Sequence, residues 1–259
     1  MNLEDKVVIV TGSSQGVGAA TALQLARAGA KVVVNYSRSQ APADEVAAQC
    51  RAAGGDAIVV RADVASDDDC RALVKATLDK WGRLDGLVNN AGTTKFVAHP
   101  NLAGLSAEDF HSIYSVNTIG VFQMVRAAEA ALRASKGAVV NVSSIAGRDG
   151  VGSCIAYVAS KGALNSMTLA LARVMGPEVR VNAVLPGFIE TGWLAAGLSE
   201  SYEAAHRGYR MQAALEAVLT PDDVADAIVF LLATPKVTGQ LLGVDAGKNI
   251  GRTSPNKPL

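Results

Sequence analysis

Clustered positive charge is missing from this 259-residue chain: 24 lysines and arginines balance 24 aspartates and glutamates, and no basic block stands out. Binding a phosphate backbone needs gathered cations, so nucleic acid is not an expected partner. Cysteine is scarce too. Cys50, Cys70 and Cys154 lie far apart, with no CxxC pair and no His/Cys cluster, which argues against a disulfide framework and against any metal site. No apolar run reaches the length of a membrane span, so no membrane association is expected. The opening residues, Met1-Asn2-Leu3-Glu4-Asp5-Lys6, lack the basic start, apolar middle and small-residue cleavage site of a secretory signal. The expected location is the cytoplasm. No linker, repeat or low-complexity tract divides the chain, so a single domain over 1–259 is expected.

What the chain does have is apolar residues, at 49%, and 25 glycines. The first supply a large core and the second suit tight strand-to-helix turns. Short runs reading VVIV, KVVV, AIVV and VVNV alternate with amphipathic stretches. Strands are predicted at 6–10, 32–35, 57–61, 87–89, 139–142, 179–184 and 240–244. Helices are predicted at 16–28, 41–53, 67–81, 110–134, 156–175 and 221–232. Strands apolar on both faces belong in a parallel sheet covered on both sides. Their alternation with helices predicts a doubly wound, Rossmann-like α/β fold with a seven-stranded parallel sheet.

The first predicted strand runs into Thr11-Gly12-Ser13-Ser14-Gln15-Gly16-Val17-Gly18, and a helix follows. A glycine-rich turn at a helix start offers free N–H groups and the positive end of the helix dipole to a pyrophosphate. Gly12 permits the turn, Gly16 lets the backbone approach the phosphates, and Gly18 allows close helix packing. After the second strand comes Asn35-Tyr36-Ser37-Arg38, with no acid to accept a ribose 2′-hydroxyl. Arg38 can pair with a 2′-phosphate and Ser37 can donate to it, with Asn35 also expected against the cofactor, so NADP(H) is the preferred cofactor. Ser13 and Ser14 add no second basic residue in the turn, which leaves NAD(H) possible. Tyr157-Val158-Ala159-Ser160-Lys161 places a tyrosine and a lysine four apart, on one face of a helix. A neighbouring ammonium favours the phenolate and makes a tyrosine usable as a general acid/base.

The spacing TGxxxGxG, together with Asn89-Asn90-Ala91-Gly92, YxxxK and Pro186-Gly187-Phe188-Ile189-Glu190-Thr191, resembles the short-chain dehydrogenase/reductase family over nearly the whole chain. Within that family it is similar to carbonyl reductases of the 3-oxoacyl thioester type. The resemblance implies a catalytic set of Asn117, Ser144, Tyr157 and Lys161. It implies that Asp63 and Val64 meet the adenine and that Asn90, Ala91 and Gly92 lie near its ribose. It also implies that Pro186, Gly187, Ile189 and Thr191 hold the nicotinamide carboxamide, and that Asn117 kinks its helix and holds a water feeding protons to Lys161. Ser143 is the neighbour of Ser144 and points to the other side if the strand geometry continues.

The implied activity is hydride transfer between NADP(H) and a ketone or secondary alcohol. Two other classes are a cofactor-binding sensor without activity, which would be expected to lack the tyrosine or the lysine, and a lyase or isomerase on the same fold. A NAD-dependent dehydrogenase is a further alternative. Substrate choice is expected in a helical lid over 192–219, with Trp193 and Leu194 against the substrate and Thr94 and Cys154 on other walls. The lid aromatics can equally serve to pack it on the body. Glu216-Ala217-Val218-Leu219 stands where relatives acting on carrier-protein thioesters often have a glycine- and arginine-containing stretch, which weakens that assignment. A homotetramer, or a homodimer, is the expected assembly, with a tail over 247–259 that wraps a neighbour or stays loose.

Overall fold

The computed structural model describes residues 2–251. Seven parallel strands form one sheet in the order β3-β2-β1-β4-β5-β6-β7. In chain order they are β1 (Val7–Val10), β2 (Lys31–Tyr36), β3 (Asp56–Arg61), β4 (Gly86–Asn89), β5 (Ala138–Val142), β6 (Arg180–Pro186) and β7 (Leu241–Val244). The helices are α1 (Gly16–Arg27), α2 (Gln40–Ala52), α3 (Asp67–Trp81), α4 (Ala107–Tyr114), α5 (Val121–Ser135), α6 (Ala146–Asp149), α7 (Ile155–Met175), α8 (Gly192–Leu198), α9 (Tyr202–Gln212) and α10 (Pro221–Ala233).

Alternation along the strands builds two cores. Val8, Val10, Val32 and Val34 face one side, against Leu25 of α1 and Ile228 of α10. Val7, Ile9 and Val33 face the other, against Leu73 of α3 and Met124 of α5. Each side chain buried this way contributes about 1.5–3 kcal/mol, which is why the strands carry so few polar residues. Burial also pushes the Cys50 thiol up to about 11 and Cys70 up to about 12, so both stay protonated core residues at neutral pH.

Local chemistry sets the helix ends. Ser66 caps α3 by accepting from Asp69 N at 3.3 Å, and Gly82 closes it in the left-handed conformation. Thr220 and Asp223 form a reciprocal capping box on α10, with Pro221 in its first turn. The single helix expected at 110–134 is divided. It begins earlier, at Ala107, because Ser106 and Asp109 form a capping box. A π-helical turn over Ser115–Gly120 then separates α4 from α5. Such a turn inserts a residue into the helical ladder and re-aims the side chains around it, here Asn117.

The order of strands reverses beside β1, which pairs with β2 on one side and β4 on the other. A crevice opens there at the carboxyl ends of the strands, where doubly wound sheets bind ligands. No helix among the described residues is long and apolar enough to cross a membrane. Most of the tail expected at 247–259 lies outside the described residues.

Ala246 stands at φ +53° just after β7. A Cβ is disfavoured in that region. Ala246→Gly is therefore expected to stabilise the fold by about 1 kcal/mol and raise Tm by about 2–4 °C. A circular-dichroism melt checks this, and an unchanged or lower Tm would mean that the strain is relieved elsewhere.

Candidate active site

The glycine-rich turn is held from three sides. Gly12, at φ +59°, donates its N–H to Asn35 Oδ1 at 3.0 Å. Asn90 donates from Nδ2 to Thr11 O and Gly12 O, both at 2.9 Å, while Asn90 N and Ala91 N both donate to Thr11 Oγ1 at 3.0 Å. A Cβ on Gly18 would lie 2.5 Å from Asn90 Nδ2 and 2.6 Å from Gly12 O, so only glycine lets α1 come this close.

Helix α1 itself starts with no side-chain cap and no acid in its first turn. The N–H groups of Gly16, Val17 and Gly18 are thus left to an anion, with the positive end of the dipole behind them. Ser14 is partly exposed beside them. The donor set fits a pyrophosphate.

Asn35 corrects an expectation. It is 2% exposed, and besides Gly12 N its amide serves the carbonyls of Val60 and Ala62 at 3.2 and 3.1 Å. It braces the turn from within β2 and has no surface to offer a cofactor. Ser37 and Arg38, the next residues out, are both exposed, and Arg38 pairs with no described residue. Asp63 is exposed with Oδ1 accepting from Ala65 N at 3.0 Å, and Val64 is buried beneath it.

At the other end of the crevice, β5 delivers Ser144 and α7 delivers Tyr157 and Lys161. Ser144 Oγ accepts from Ala146 N at 3.1 Å and lies beside the Tyr157 hydroxyl, whose ionised form it favours. Lys161, 4% exposed, donates from Nζ to Val142 O at 2.9 Å and stands 5.7 Å from the centre of the Tyr157 ring. A Cβ on Gly92 would lie 3.5 Å from Asn117 Oδ1 and 3.8 Å from Lys161 Nζ, so both groups border the same small space. Asn117 is fully buried. Its Oδ1 accepts from Thr93 N at 2.8 Å, and its Nδ2 donates to Thr93 O at 2.9 Å and to Ser160 Oγ at 3.1 Å. With both amide hydrogens engaged, this side chain is a brace between the π turn, the loop after β4 and α7.

The electrostatics differ from the simple expectation. Burial raises the Tyr157 phenol above its ordinary value, and the Ser144 hydrogen bond only partly opposes it. Burial also pulls the Lys161 ammonium down to about 8. The desolvation that weakens this cation is the same desolvation that disfavours the phenolate.

Pro186 ends β6, and Gly187 N donates to Val244 O at 2.8 Å. Ile189 bridges to Leu219, and Thr191 caps α8 by accepting from Leu194 N at 3.3 Å. The Thr191 methyl lies 3.7 Å from where Gly16 would carry a Cβ, so the two loops face each other across the crevice.

Lid helices α8 and α9 are present. Tyr202, His206 and Tyr209 gather around Phe188, and Tyr209 donates to Asp245 O at 2.8 Å, so these aromatics do pack the lid on the body. Trp193 is different: it is 46% exposed and meets Phe96 edge-on, with centroids 6.0 Å apart. Leu194 is half-buried behind it. Thr94 bonds Ser153 Oγ at 2.6 Å, which ties its loop to the start of α7.

Cys154 corrects another expectation. It is fully buried and caps α7, its Sγ accepting from Tyr157 N at 3.4 Å, so it presents no wall to a substrate.

Residue patterns alone missed the polar side chains that tie this site together. Ser160 donates to Tyr157 O at 2.7 Å while accepting from Asn117. Asn165 and Thr168 bond the strand end. The signal was available: polar residues at 161, 165 and 168 recur at helical spacing on an otherwise apolar helix.

Comparison with known proteins agrees with this geometry. The family described as enoyl-(acyl carrier protein) reductase matches residues 12–249. A granaticin polyketide synthase ketoacyl reductase from Streptomyces violaceoruber is 43% identical over 95% of this chain and 97% of its own. A 3-oxoacyl-[acyl-carrier-protein] reductase from Synechocystis is 39% identical over 95% and 97%. Among solved structures, a short-chain dehydrogenase/reductase from Burkholderia xenovorans matches with a TM-score of 0.89 at 40% identity, covering 95% of this chain and 99% of that one. With a dinucleotide cradle at one end of the crevice and neighbouring serine and tyrosine hydroxyls at the other, the chain belongs to the short-chain dehydrogenase/reductase family of oxidoreductases.

Proposed function

We propose that this protein reduces the ketone of a 3-oxoacyl thioester or a related polyketide carbonyl, with NADPH as the hydride donor. The observation that carries the reading is the placing of the Ser144 and Tyr157 hydroxyls side by side, next to a buried Lys161 ammonium. Two neighbouring hydroxyls can both reach one carbonyl oxygen. Similarity to ketoacyl and 3-oxoacyl reductases supports the substrate class. Nothing in those relatives favours a sensor without activity.

The cradle at Gly12, Ser14, Gly16, Val17 and Gly18 holds the pyrophosphate, with the adenine at Asp63 and Val64 and its ribose beside Asn90, Ala91 and Gly92. Pro186, Gly187, Ile189 and Thr191 seat the carboxamide. The bound cofactor supplies the hydride. Ser144 donates to the substrate oxygen and orients it. Tyr157 gives its phenolic proton to that oxygen as negative charge develops there. Lys161 keeps donors free for the ribose hydroxyls after its bond to Val142 O, and its charge stabilises the tyrosinate that remains. The main chain of Asn117, at the π turn, holds a water that passes replacement protons to Lys161. Trp193, Leu194 and Thr94 border the substrate.

The choice of NADPH rests on Arg38, exposed and unpaired among the described residues, with no acid at the end of β2. One structural relative, an alginate-metabolism reductase 29% identical with a TM-score of 0.84, is NADH-dependent, so the two cofactors must be compared directly. Arg38→Asp is expected to raise KM for NADPH about tenfold or more and to leave KM for NADH within about twofold. Equal effects on the two would detach Arg38 from the 2′-phosphate.

A homotetramer in the cytoplasm completes the reading. Ile119 and Phe122 beside α5, Leu169 on α7 and Phe230 on α10 are exposed apolar residues suited to pairing between copies. Light scattering at the mass of one chain would refute it. The function itself is tested by reduced-nicotinamide absorbance with acetoacetyl thioesters, β-ketoesters and simple ketones. Consumption of NADPH is expected, and a flat trace with both cofactors across that panel would overturn the reading.

A further inference from the structure

Strand β5 and helix α7 carry the two halves of the reacting site, and nothing covalent keeps them in register. Polar contacts join them residue by residue. Asn141 donates from Nδ2 to Thr168 Oγ1 at 2.9 Å, and Val142 O accepts from Lys161 Nζ at 2.9 Å. Ser143 Oγ donates to Asn165 Oδ1 at 2.6 Å, with Lys161 O also within 3.3 Å. Ser144 meets the Tyr157 hydroxyl.

Four consecutive residues, Asn141 and Val142 at the end of β5 and Ser143 and Ser144 just past it, thus meet one face of the helix. Residues 157, 161 and 165 are each one turn apart, about 6 Å along the axis, and 168 continues the row. The strand runs against the helix. Asn141 and Ser143 are buried at the inner end of this seam, and Ser144 is half-buried at its open end. Ser143 is 3% exposed, Asn165 7% and Thr168 0%. Hydrogen bonds between buried neutral groups resist sliding, because breaking one strands a polar atom away from water.

We propose that Ser143 and Asn165 are positioning residues for hydride transfer: their bond sets the register of β5 against α7 and thereby the Ser144–Tyr157 distance and the seat of Lys161. This rests on the reading of the protein as a ketone reductase. Ser143 touches no reacting atom and acts only through Ser144 and Lys161. The short bond is the last buried contact before the open end of the seam, so its loss lets the strand tip drift while the core below stays packed.

The test takes Ser143→Ala, Asn165→Ala and the double variant of the full chain. With a ketone that the wild type reduces, each single change is expected to lower kcat about tenfold to a hundredfold and leave KM within about twofold. The double variant should be no worse than the worse single, since both act through one bond. The second measurement needs no substrate. Ultraviolet difference titration of the Tyr157 phenol, each protein against the same protein carrying Tyr157→Phe, should give a higher midpoint in both singles, because the opposing Ser144 bond is lost. Were Ser143→Ala to fail to fold, Asn165→Ala decides alone. Unchanged titration and kcat in the singles would overturn the proposal, as would additive losses in the double. A wild type that oxidises no NADPH would overturn the functional reading instead, and the titration would still judge the seam.

Discussion

Tyr157→Phe is expected to lower kcat for ketone reduction by about 10²–10⁴-fold while cofactor binding and Tm hold near the wild type. The ring itself belongs to a small cluster with Ile113, Cys154, Ala156 and Phe110, and phenylalanine keeps that packing. Only the hydroxyl disappears, and with it the one acid joined to Ser144. Ser144 keeps the bond from Ala146 N to its oxygen, and because it is only half-buried its O–H can turn to water. Because burial holds the phenol above its ordinary value, Tyr157 is protonated across the neutral range. The reductive direction, which consumes that proton, should therefore keep its rate from pH 6 to 8, and the reverse reaction should gain rate as pH rises. Steady-state kinetics in both directions, with cofactor binding followed by fluorescence, provides the check. Turnover near the wild type in Tyr157→Phe would remove Tyr157 from the mechanism.

Lys161→Met should separate activity from stability. A loss of about a hundredfold or more in kcat/KM is expected, because neither the ribose hydroxyls nor a tyrosinate would then face a cation. Stability should move the other way at neutral pH. Holding this ammonium, whose ordinary value is 10.5, at about 8 corresponds to about 3 kcal/mol of destabilisation.

The sign follows from proton counting. Between pH 8 and 10.5 the unfolded chain binds a proton that the folded chain has released, so wild-type stability gains with pH across this window. Below pH 8 the penalty is present in full. Methionine, of similar length and apolar, removes it at the expense of the Val142 bond. The variant should therefore be at least as stable as the wild type in urea at pH 7, with the difference shrinking by pH 10. A variant clearly weaker at pH 7 would show that the bond to Val142 O outweighs the desolvation.

Much of this architecture is legible in one dimension. Strands such as Val7–Val10 are apolar on both faces, and that alone demands a sheet covered on two sides. Turn chemistry is equally local: the Asp67–Trp81 helix, framed by Ser66 and Gly82, has the bounds its sequence predicts. Division of the helix at 110–134 was not predictable from periodicity, since a π turn changes the ladder by one residue and leaves the apolar pattern nearly intact. Burial of particular polar side chains was hidden too. Asn35 reads as the last residue before a cofactor-binding loop, yet it turns inward because Gly12 N and the carbonyls of β3 need a partner. Cys154 reads as a pocket residue and is a helix cap.

Sequence by itself determined the fold class, the glycine-rich cradle and the tyrosine–lysine pair, because periodicity, turn residues and four-residue helical spacing act over short stretches of chain. Tertiary structure alone decided what Ser143 bonds, what Asn117 braces, and that desolvation outweighs the lysine in setting the phenol's acidity. Those outcomes depend on which residues distant in sequence are pressed together away from water, and no local pattern encodes the local dielectric or the depth of a side chain.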